Sequence, residues 1–215
     1  MLCRISEIYV CHLGEGTAAG EPATLVRLAG CNLHCAYCDT RFACDGEGEE
    51  YTPEEVVGEC TKARLHNLLL TGGEPLLQAA ACRAIAEQAM ASGLRVLVET
   101  NGTVSVESVA GLAELVVDVK APGAGVAFPF LEDNLKWLQP GDQLKFVLTS
   151  RQDYEWACAF VASHSLPIAS SNILFSPATG EISPQALSVW MLADRLPYRF
   201  HLQLHKAVWG DRRGV

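Results

Sequence analysis

Residues 24–38 read TLVRLAGCNLHCAYC, an apolar run followed by three closely spaced cysteines. The run Thr24–Leu28 predicts a buried β-strand. Cys31, Cys35 and Cys38 then follow on a single short loop. In α/β proteins the chemistry is carried by loops at the carboxyl ends of parallel strands, and this stretch has that arrangement.

The same alternation of strand and helix patterns continues along the chain, starting from a first strand within residues 1–10. The other predicted strands are Leu68–Thr71, Arg95–Glu99, Leu115–Asp118, Gln143–Leu148, Asn172–Phe175 and Tyr198–Leu204. Predicted helices begin at Thr52-Pro53 and Ser183-Pro184, and another spans Ala79–Ala91. Six or seven such units in 215 residues are too few for a closed eight-stranded barrel, which takes about 250 residues. The sequence therefore predicts an α/β fold, an incomplete (β/α)6-type TIM barrel forming a single domain over residues 1–215.

Polar or glycine-rich clusters follow nearly every predicted strand. They are Gly30–Asn32, Thr71–Glu74, Glu99–Gly102, Asp118–Lys120, Ser176-Pro177 and Gln203–Lys206. Because parallel strands end at one face of a barrel, these clusters are expected to converge on one rim.

Composition excludes several classes of function. The formal net charge of −9 argues against a nucleic-acid partner, since phosphate contacts need a basic face. No apolar run reaches the roughly 18–20 residues that span a bilayer, so no membrane partner is expected. The start of the chain lacks the plan of a signal peptide, and we expect a cytoplasmic protein. An odd number of cysteines, nine, suits metal binding better than a disulfide framework.

The cysteine loop itself predicts a 4Fe-4S cluster. Such clusters are normally bound by one cysteine thiolate per iron, so three cysteines leave one iron open, as in catalytic metal sites. S-adenosylmethionine (SAM) can fill that position with its amino and carboxylate groups, and Tyr37 would lie against its adenine. The alternative is a structural zinc site with His34 or an outside residue as fourth ligand, although no second Cys/His pair completes a finger.

The motif Thr71-Gly72-Gly73-Glu74-Pro75 supports the cluster interpretation. Glycines let a backbone approach a ligand closely, and Glu74 could accept a charge-assisted hydrogen bond from the methionyl ammonium of SAM. On its own the motif would indicate a turn.

Together these residues resemble the radical SAM superfamily and, within it, the 7-carboxy-7-deazaguanine synthase family of queuosine and 7-deazapurine biosynthesis. The matching stretches are Gly14–Gly16, Pro22–Leu33, Cys38–Thr40, Leu70–Leu77, Glu99–Thr103 and Gln203–Lys206. The resemblance covers almost the whole chain. It implies a radical SAM core that converts 6-carboxy-5,6,7,8-tetrahydropterin to 7-carboxy-7-deazaguanine and ammonia by ring contraction, a carbon–nitrogen lyase reaction assisted by Mg²⁺.

The resemblance also implies roles for individual residues. SAM would be bound by Tyr37, Cys38, Asp39, Gly73, Glu74, Asp118, Val119 and Lys120. Thr40 would give its hydroxyl to Mg²⁺, a cation that prefers oxygen ligands, although a threonine after Cys-Asp is more often a helix cap. The pterin would contact His12, Leu13, Gly14, Glu15, Arg27, Thr71, Gln203 and His205. No catalytic side chain is expected, since the radical comes from the cofactor.

Two of these substrate positions need comment. Arg27 can pair with the pterin carboxylate bidentately, although a structural ion pair would also explain an arginine there. Leu13 stands where the family often has glutamine, so only a backbone contact is expected from it. The tail Asp211–Val215 receives no role.

The resemblance further implies a homodimer and an electron donor, flavodoxin-like or other. Two other classes of function stay open. A glycyl-radical activase shares the cysteine loop and the Asp-x-Lys element, but such activases usually have His-Asn where this chain has Asp39-Thr40. A non-catalytic zinc- or cluster-binding module would leave the strand-end motifs unexplained.

Overall fold

A computed structural model describes residues 1–45 and 47–215, and within them the chain forms one nine-stranded sheet. The strands are β1 (Cys3–His12), β2 (Pro22–Leu28), β3 (Glu49–Tyr51), β4 (Asn67–Gly72), β5 (Arg95–Thr100), β6 (Glu114–Asp118), β7 (Gln143–Leu148), β8 (Ile173–Pro177) and β9 (Arg199–Phe200). The α-helices are α1 (Pro53–Lys62), α2 (Ala79–Ala91), α3 (Arg151–Ser163), α4 (Pro184–Ala193) and α5 (Leu204–Trp209).

The strand order is β3-β1-β2-β4-β5-β6-β7-β8-β9. Every neighbouring pair from β2 to β9 is parallel. At one edge, β1 is antiparallel to both of its neighbours, β2 and β3. The two outer strands, β3 and β9, do not pair with each other, so the barrel is open. The predicted incomplete barrel is therefore confirmed.

Alternation along the strands separates an outer core from the barrel interior. Residues such as Leu68, Val98 and Phe146 pack outward beneath the helices. Their neighbours point inward, where Leu25, Leu69 and Leu97 fill one end of the barrel. Beyond these leucines, toward the carboxyl ends of the strands, the inward side chains become polar. The fold thus places polar groups over an apolar floor.

The predicted helix starts are confirmed. The Thr52 hydroxyl accepts from the Glu55 backbone N–H at 3.3 Å, while Glu55 accepts from the Thr52 N–H at 2.7 Å. This reciprocal capping box begins α1. Ser183 caps α4 through the Ala186 N–H. The predicted helix Ala79–Ala91 matches α2 at both ends.

Two sequence-based expectations differ from the structure. The predicted strand Tyr198–Leu204 shrinks to Arg199–Phe200, because Leu204 already begins α5 and its N–H bonds the Gly14 carbonyl at 2.8 Å. The acidic composition of residues 46–50 is typical of a surface loop. In the structure Glu49 and Glu50 instead pair with β1 as an edge strand, and Gly46 lies outside the described residues. In residues 1–45 and 47–215, none of the helices has both the length and the apolar character needed to cross a membrane.

Candidate active site

The strand carboxyl ends surround a cavity of about 470 Å³, a size typical of small-molecule sites. All but three of the predicted site residues line it. They are His12, Gly14, Glu15, Arg27, Cys31, Cys35, Tyr37, Cys38, Asp39, Thr40, Thr71, Gly73, Asp118, Lys120, Gln203 and His205. The exceptions are Leu13, Glu74 and Val119. The predicted convergence on one rim is therefore confirmed for five of the six strand-end clusters, whereas Ser176-Pro177 contributes no residue to this cavity.

The cysteine loop is held against the end of β4. A side chain on Gly73 would come within 2.3 Å of the Gly30 carbonyl oxygen and 2.7 Å of the Cys31 Cβ, so only glycine fits there. The Glu74 N–H bonds that same Gly30 carbonyl at 2.8 Å. On its far side the loop is pinned by the Ala36 N–H, which donates to the Ala124 carbonyl at 3.0 Å. Gly73 thus allows the cluster loop to lie close to the end of β4.

Hydrogen-bond donors gather around the first cysteine. The Leu33 N–H points to the Cys31 sulfur at 3.4 Å, and the Asn101 amide lies 4.0 Å from it. Asn101 also donates to Asn32 at 3.0 Å and accepts from the Thr103 hydroxyl at 2.7 Å. Donors to a ligating sulfur stabilise the thiolate and tune the reduction potential of a cluster.

The three cysteines suit an iron–sulfur cluster. All are free thiols on one loop facing the cavity, and burial raises the pKa of Cys31 and Cys35. Within residues 1–45 and 47–215, no group of three or more His, Cys, Asp or Glu side chains is gathered closely enough for a single metal ion. The zinc alternative thus lacks a ligand set there, whereas a cluster takes each thiolate on a different iron.

Unpartnered polar atoms beside the cluster loop are suited to a bound nucleoside. The buried Tyr37 hydroxyl and the Asp118 Oδ1 atom have no hydrogen-bond partner in the described part of the chain. Asp118 uses its other oxygen, Oδ2, to bind Lys120 at 3.0 Å. The Lys120 ammonium also lies 5.4 Å from the centre of the Tyr37 ring. Buried polar atoms without partners are costly, so the site is incomplete without a ligand.

Glu74 has a structural role that the sequence did not predict. Its side chain is fully buried behind the cavity wall. One oxygen accepts from the Leu76 N–H at 2.9 Å and the Thr100 hydroxyl at 2.8 Å, and the other from the Asn101 N–H at 2.7 Å. Through these bonds Glu74 ties the ends of β4 and β5 together, while its contact with the methionyl ammonium stays a prediction.

We predict that Glu74→Gln lowers the free energy of unfolding by roughly 1–3 kcal/mol, because one amide donor must then face a buried donor. Urea denaturation measures this directly. The control Glu87→Gln changes an exposed glutamate paired with Arg83 and should shift stability by under about 0.5 kcal/mol. Equal stability of Glu74→Gln and the wild type would remove the anchoring role.

Leu13 and Val119 also lie outside the cavity wall. The Leu13 side chain is buried in the apolar floor beside Leu25, and its N–H donates to the Glu21 carbonyl at 2.8 Å. Val119 packs outward in the main core, and its N–H bonds the Lys145 carbonyl at 2.8 Å. Their side chains support the wall instead of forming it.

The position of Arg27 is compatible with both interpretations that the sequence left open, a structural ion pair and a contact to a ligand carboxylate. Its Nε atom pairs with Glu7 at 2.7 Å. A bidentate contact to a ligand carboxylate can use the terminal guanidinium nitrogens, so an ion pair through Nε does not preclude it.

One strand further, the Thr71 hydroxyl donates to Glu99 at 3.3 Å. Burial raises the pKa of Glu99 to about 7, so this cavity carboxyl titrates near neutral pH.

Glu15 lies in a buried charge network on the opposite wall. The Gln203 amide donates to its Oε1 atom at 2.5 Å, and the Lys145 ammonium contacts its Oε2 atom. Lys145 also lies 3.2 Å from Asp118. Burial lowers the pKa of Lys145, whereas a neighbouring carboxylate favours the charged form of a lysine.

Helix α5 and the residues after it border the cavity. His205 and Lys206 on α5 contact Asp39 at 3.2 and 3.5 Å. Although burial opposes it, the hydrogen bond from His205 and the charge of Lys206 lower the pKa of Asp39 to about 2. Any side chain on Gly14 would collide with the His205 ring. Residues 210–215 continue along the cavity wall.

Thr40 precedes a short 3₁₀ turn at Arg41–Ala43 but makes no side-chain capping bond to the described residues. Its hydroxyl lies 3.7 Å from the Cys38 sulfur and faces the cavity. A helix cap therefore does not explain this threonine, and its oxygen is available to a ligand.

Several cavity residues received no role from the sequence. Glu99 and Asn101 belong to a predicted strand-end cluster, whereas Cys44, Lys145 and residues 210–215 were not predicted to lie at the site. Lys145 had a usable pattern, since it is a charged residue at an inward position of an apolar strand. Cys44 lies beside Cys31 and Cys38. The tail carries no pattern that would have indicated its place.

Comparison with known proteins agrees with this geometry. Residues 25–126 match the model of the radical SAM superfamily. The structure also resembles QueE from Escherichia coli, with a TM-score of 0.77, 20% identity and 94% of each chain covered. A weaker likeness, with a TM-score of 0.51 and 12% identity, links it to Streptococcus suis SuiB bound to SAM; it covers 84% of this chain and 50% of that one. The fold and the cysteine loop define a radical SAM protein.

Full-length relatives narrow the family. The chain is 38% identical to the 7-carboxy-7-deazaguanine synthase of Koribacter versatilis (strain Ellin345), with 99% of this chain and 100% of that protein covered. It is also 38% identical to the synthase of Chlorobaculum tepidum, with 98% and 96% covered. The chain therefore belongs to the 7-carboxy-7-deazaguanine synthase family.

Proposed function

We propose that this chain converts 6-carboxy-5,6,7,8-tetrahydropterin to 7-carboxy-7-deazaguanine and ammonia. The observation that carries the proposal is that Arg27, Glu15 and the three cysteines line one cavity in a chain related end to end to these synthases. Loss of one ammonia balances the conversion, so no net oxidant or reductant is consumed. The enzyme is in net outcome a carbon–nitrogen lyase.

Cys31, Cys35 and Cys38 would hold the 4Fe-4S cluster, and its open iron would bind SAM. Together these cofactors supply the radical that starts the reaction. Tyr37, Asp39, Gly73, Asp118 and Lys120 line the cavity beside the cysteines and would position SAM. The unpartnered Asp118 Oδ1 atom is suited to accept a hydrogen bond from a ribose hydroxyl.

The pterin would occupy the remaining part of the cavity. Arg27 would bind its carboxylate, while Glu15, a carboxylate held by Gln203 and Lys145, would accept from the guanidine-like edge. The leucine floor would keep water away from one end of the cavity. Exclusion of water and stray hydrogen donors protects a reactive intermediate.

Mg²⁺, at the Thr40 hydroxyl, would be a third cofactor. This cation usually keeps several waters and takes only one or two protein oxygens plus oxygens of the substrate. The Thr40 hydroxyl, which lies at the cavity wall and does not cap a helix, is consistent with that pattern.

For this magnesium site, we predict that Mg²⁺ accelerates turnover by the wild type and that Thr40→Ala loses most of the stimulation while keeping its iron. Initial rates over a Mg²⁺ titration, with iron content measured in parallel, provide the check. Thr61→Ala is a matched control, since that hydroxyl bonds the Gly58 carbonyl on α1. If wild type and Thr40→Ala are stimulated equally, the magnesium role is lost.

The remaining parts of the proposal come from the family. The enzyme would act as a homodimer in the cytoplasm and receive its electron from a flavodoxin-like or other donor. Support for a small-molecule substrate comes from the cavity volume of about 470 Å³, which is typical of small-molecule sites.

The test that separates this function from a glycyl-radical activase is anaerobic incubation of the cluster-loaded chain with SAM, a reductant and the carboxylated pterin. We expect a deazapurine product and ammonia in equal amounts. No product from the pterin, together with a glycyl radical on an added protein detected by electron paramagnetic resonance, would favour the activase.

A further inference from the structure

Lys145 joins two carboxylates that come from distant parts of the chain. It points inward from β7, with 7% of its side chain exposed. Its ammonium contacts Glu15, on the loop after β1, and lies 3.2 Å from Asp118 at the end of β6. The side-chain exposures of these two partners are only 9% and 12%. At such burial the ammonium balances the charge of the two carboxylates, and losing it would leave that charge uncompensated.

The two carboxylates serve different ligands in the proposed function. Glu15 belongs to the pterin side, where Gln203 also holds it. Asp118 belongs to the SAM side, where Lys120 shares its Oδ2 atom and Oδ1 is buried without a partner. Lys145 is therefore the shared contact between the two halves of the cavity.

We propose that Lys145 is a positioning residue that couples SAM binding to pterin binding, an inference that rests on the proposed function. When one ligand fixes its carboxylate, the ammonium is ordered, and the second carboxylate is then already in place. The second ligand has less ordering to do, which gives positive cooperativity. Because binding free energies are linked, the effect is reciprocal.

The experiment is anaerobic calorimetry on the cluster-loaded chain. The dissociation constants of SAM and of the carboxylated pterin are each measured with and without the other ligand. In the wild type we expect each ligand to tighten the other about fivefold or more, the lower end of usual coupling. In Lys145→Met the coupling factor should fall to about one, and both affinities should drop roughly tenfold. Lys145→Arg, which keeps the charge, should restore most of the coupling.

Lys136→Met is the matched control, because that lysine is exposed and paired with Asp133 by an i, i+3 contact. It should leave every constant unchanged. If Lys145→Met does not take up its cluster, Lys145→Gln, which keeps a polar group in place of the ammonium, is measured instead and should likewise lose most of the coupling. A purely structural lysine would change stability in these variants but leave the coupling factor at its wild-type value, and that result would overturn the proposal.

A failure of the proposed function would give a different result from a failure of the Lys145 proposal. If the wild type does not bind the pterin, the synthase assignment falls. The SAM measurement still decides the role of Lys145 on the Asp118 side. A tenfold loss of SAM affinity in Lys145→Met supports positioning of Asp118, and an unchanged SAM affinity overturns it.

Discussion

Replacing Cys31, Cys35 or Cys38 by alanine is expected to abolish reductive cleavage of SAM. With a three-cysteine set, each iron but one has its own thiolate, so losing one ligand leaves two irons without protein bonds. Anaerobically reconstituted wild type should be brown, with about four irons per chain and broad absorption near ~400 nm. Each variant should lose the colour and yield no 5′-deoxyadenosine on reduction.

Two other cysteines serve as controls for this prediction. Cys158→Ala changes a half-buried thiol on α3, outside the cavity, and Cys44→Ala changes a thiol beside Cys31 and Cys38. Both variants should keep the cluster and cleave SAM. The Cys44 variant is the sharper control, because it shows whether proximity alone makes a cysteine necessary. Cleavage of SAM by Cys31→Ala would refute the cluster assignment.

Arg27→Met is expected to lower kcat/KM for the carboxylated pterin by about 30-fold to several thousand-fold. This corresponds to roughly 2–5 kcal/mol for losing a bidentate carboxylate contact in a dry site. The fold should tolerate the change, since Glu7 keeps a partner in Arg213 at 3.0 Å. Steady-state kinetics give the ratio, and the rate of SAM cleavage without substrate should stay within about threefold of the wild type.

Arg83→Met is the matched control, because Arg83 is an exposed arginine paired with Glu87 on α2. Its kcat/KM should equal that of the wild type. A kcat/KM for Arg27→Met within threefold of the wild type would reduce Arg27 to the structural ion pair with Glu7.

The sequence predicted the sheet well because parallel strands buried on both faces are continuous apolar runs. The predicted strand Gln143–Leu148 matches β7 at both ends. The last strand failed for a non-local reason. Residues after Phe200 keep an apolar, strand-like pattern, yet the Leu204 N–H pairs with Gly14, nearly two hundred residues earlier in the chain. No local periodicity encodes such a partner.

The sequence predicted the parts of the candidate site whose geometry a motif determines. It did not predict the contacts that depend on the direction in which a side chain points. Cysteine spacing predicted the loop that faces the cavity. The Gly-Gly-Glu motif predicted where the cluster loop meets the sheet, but it did not predict that three donors surround the Glu74 carboxylate. Lys145 was missed because its importance comes from Glu15 and Asp118, which only the fold brings to it.

The central claim is that this chain carries out a redox-neutral ring contraction of the carboxylated pterin. The most direct measurement is the amount of 7-carboxy-7-deazaguanine, ammonia and consumed SAM after anaerobic turnover, by mass spectrometry and an ammonia assay. We predict product and ammonia in a one-to-one ratio, with product exceeding the SAM consumed. Consumption of SAM to 5′-deoxyadenosine with the pterin present and no deazapurine formed would contradict the account.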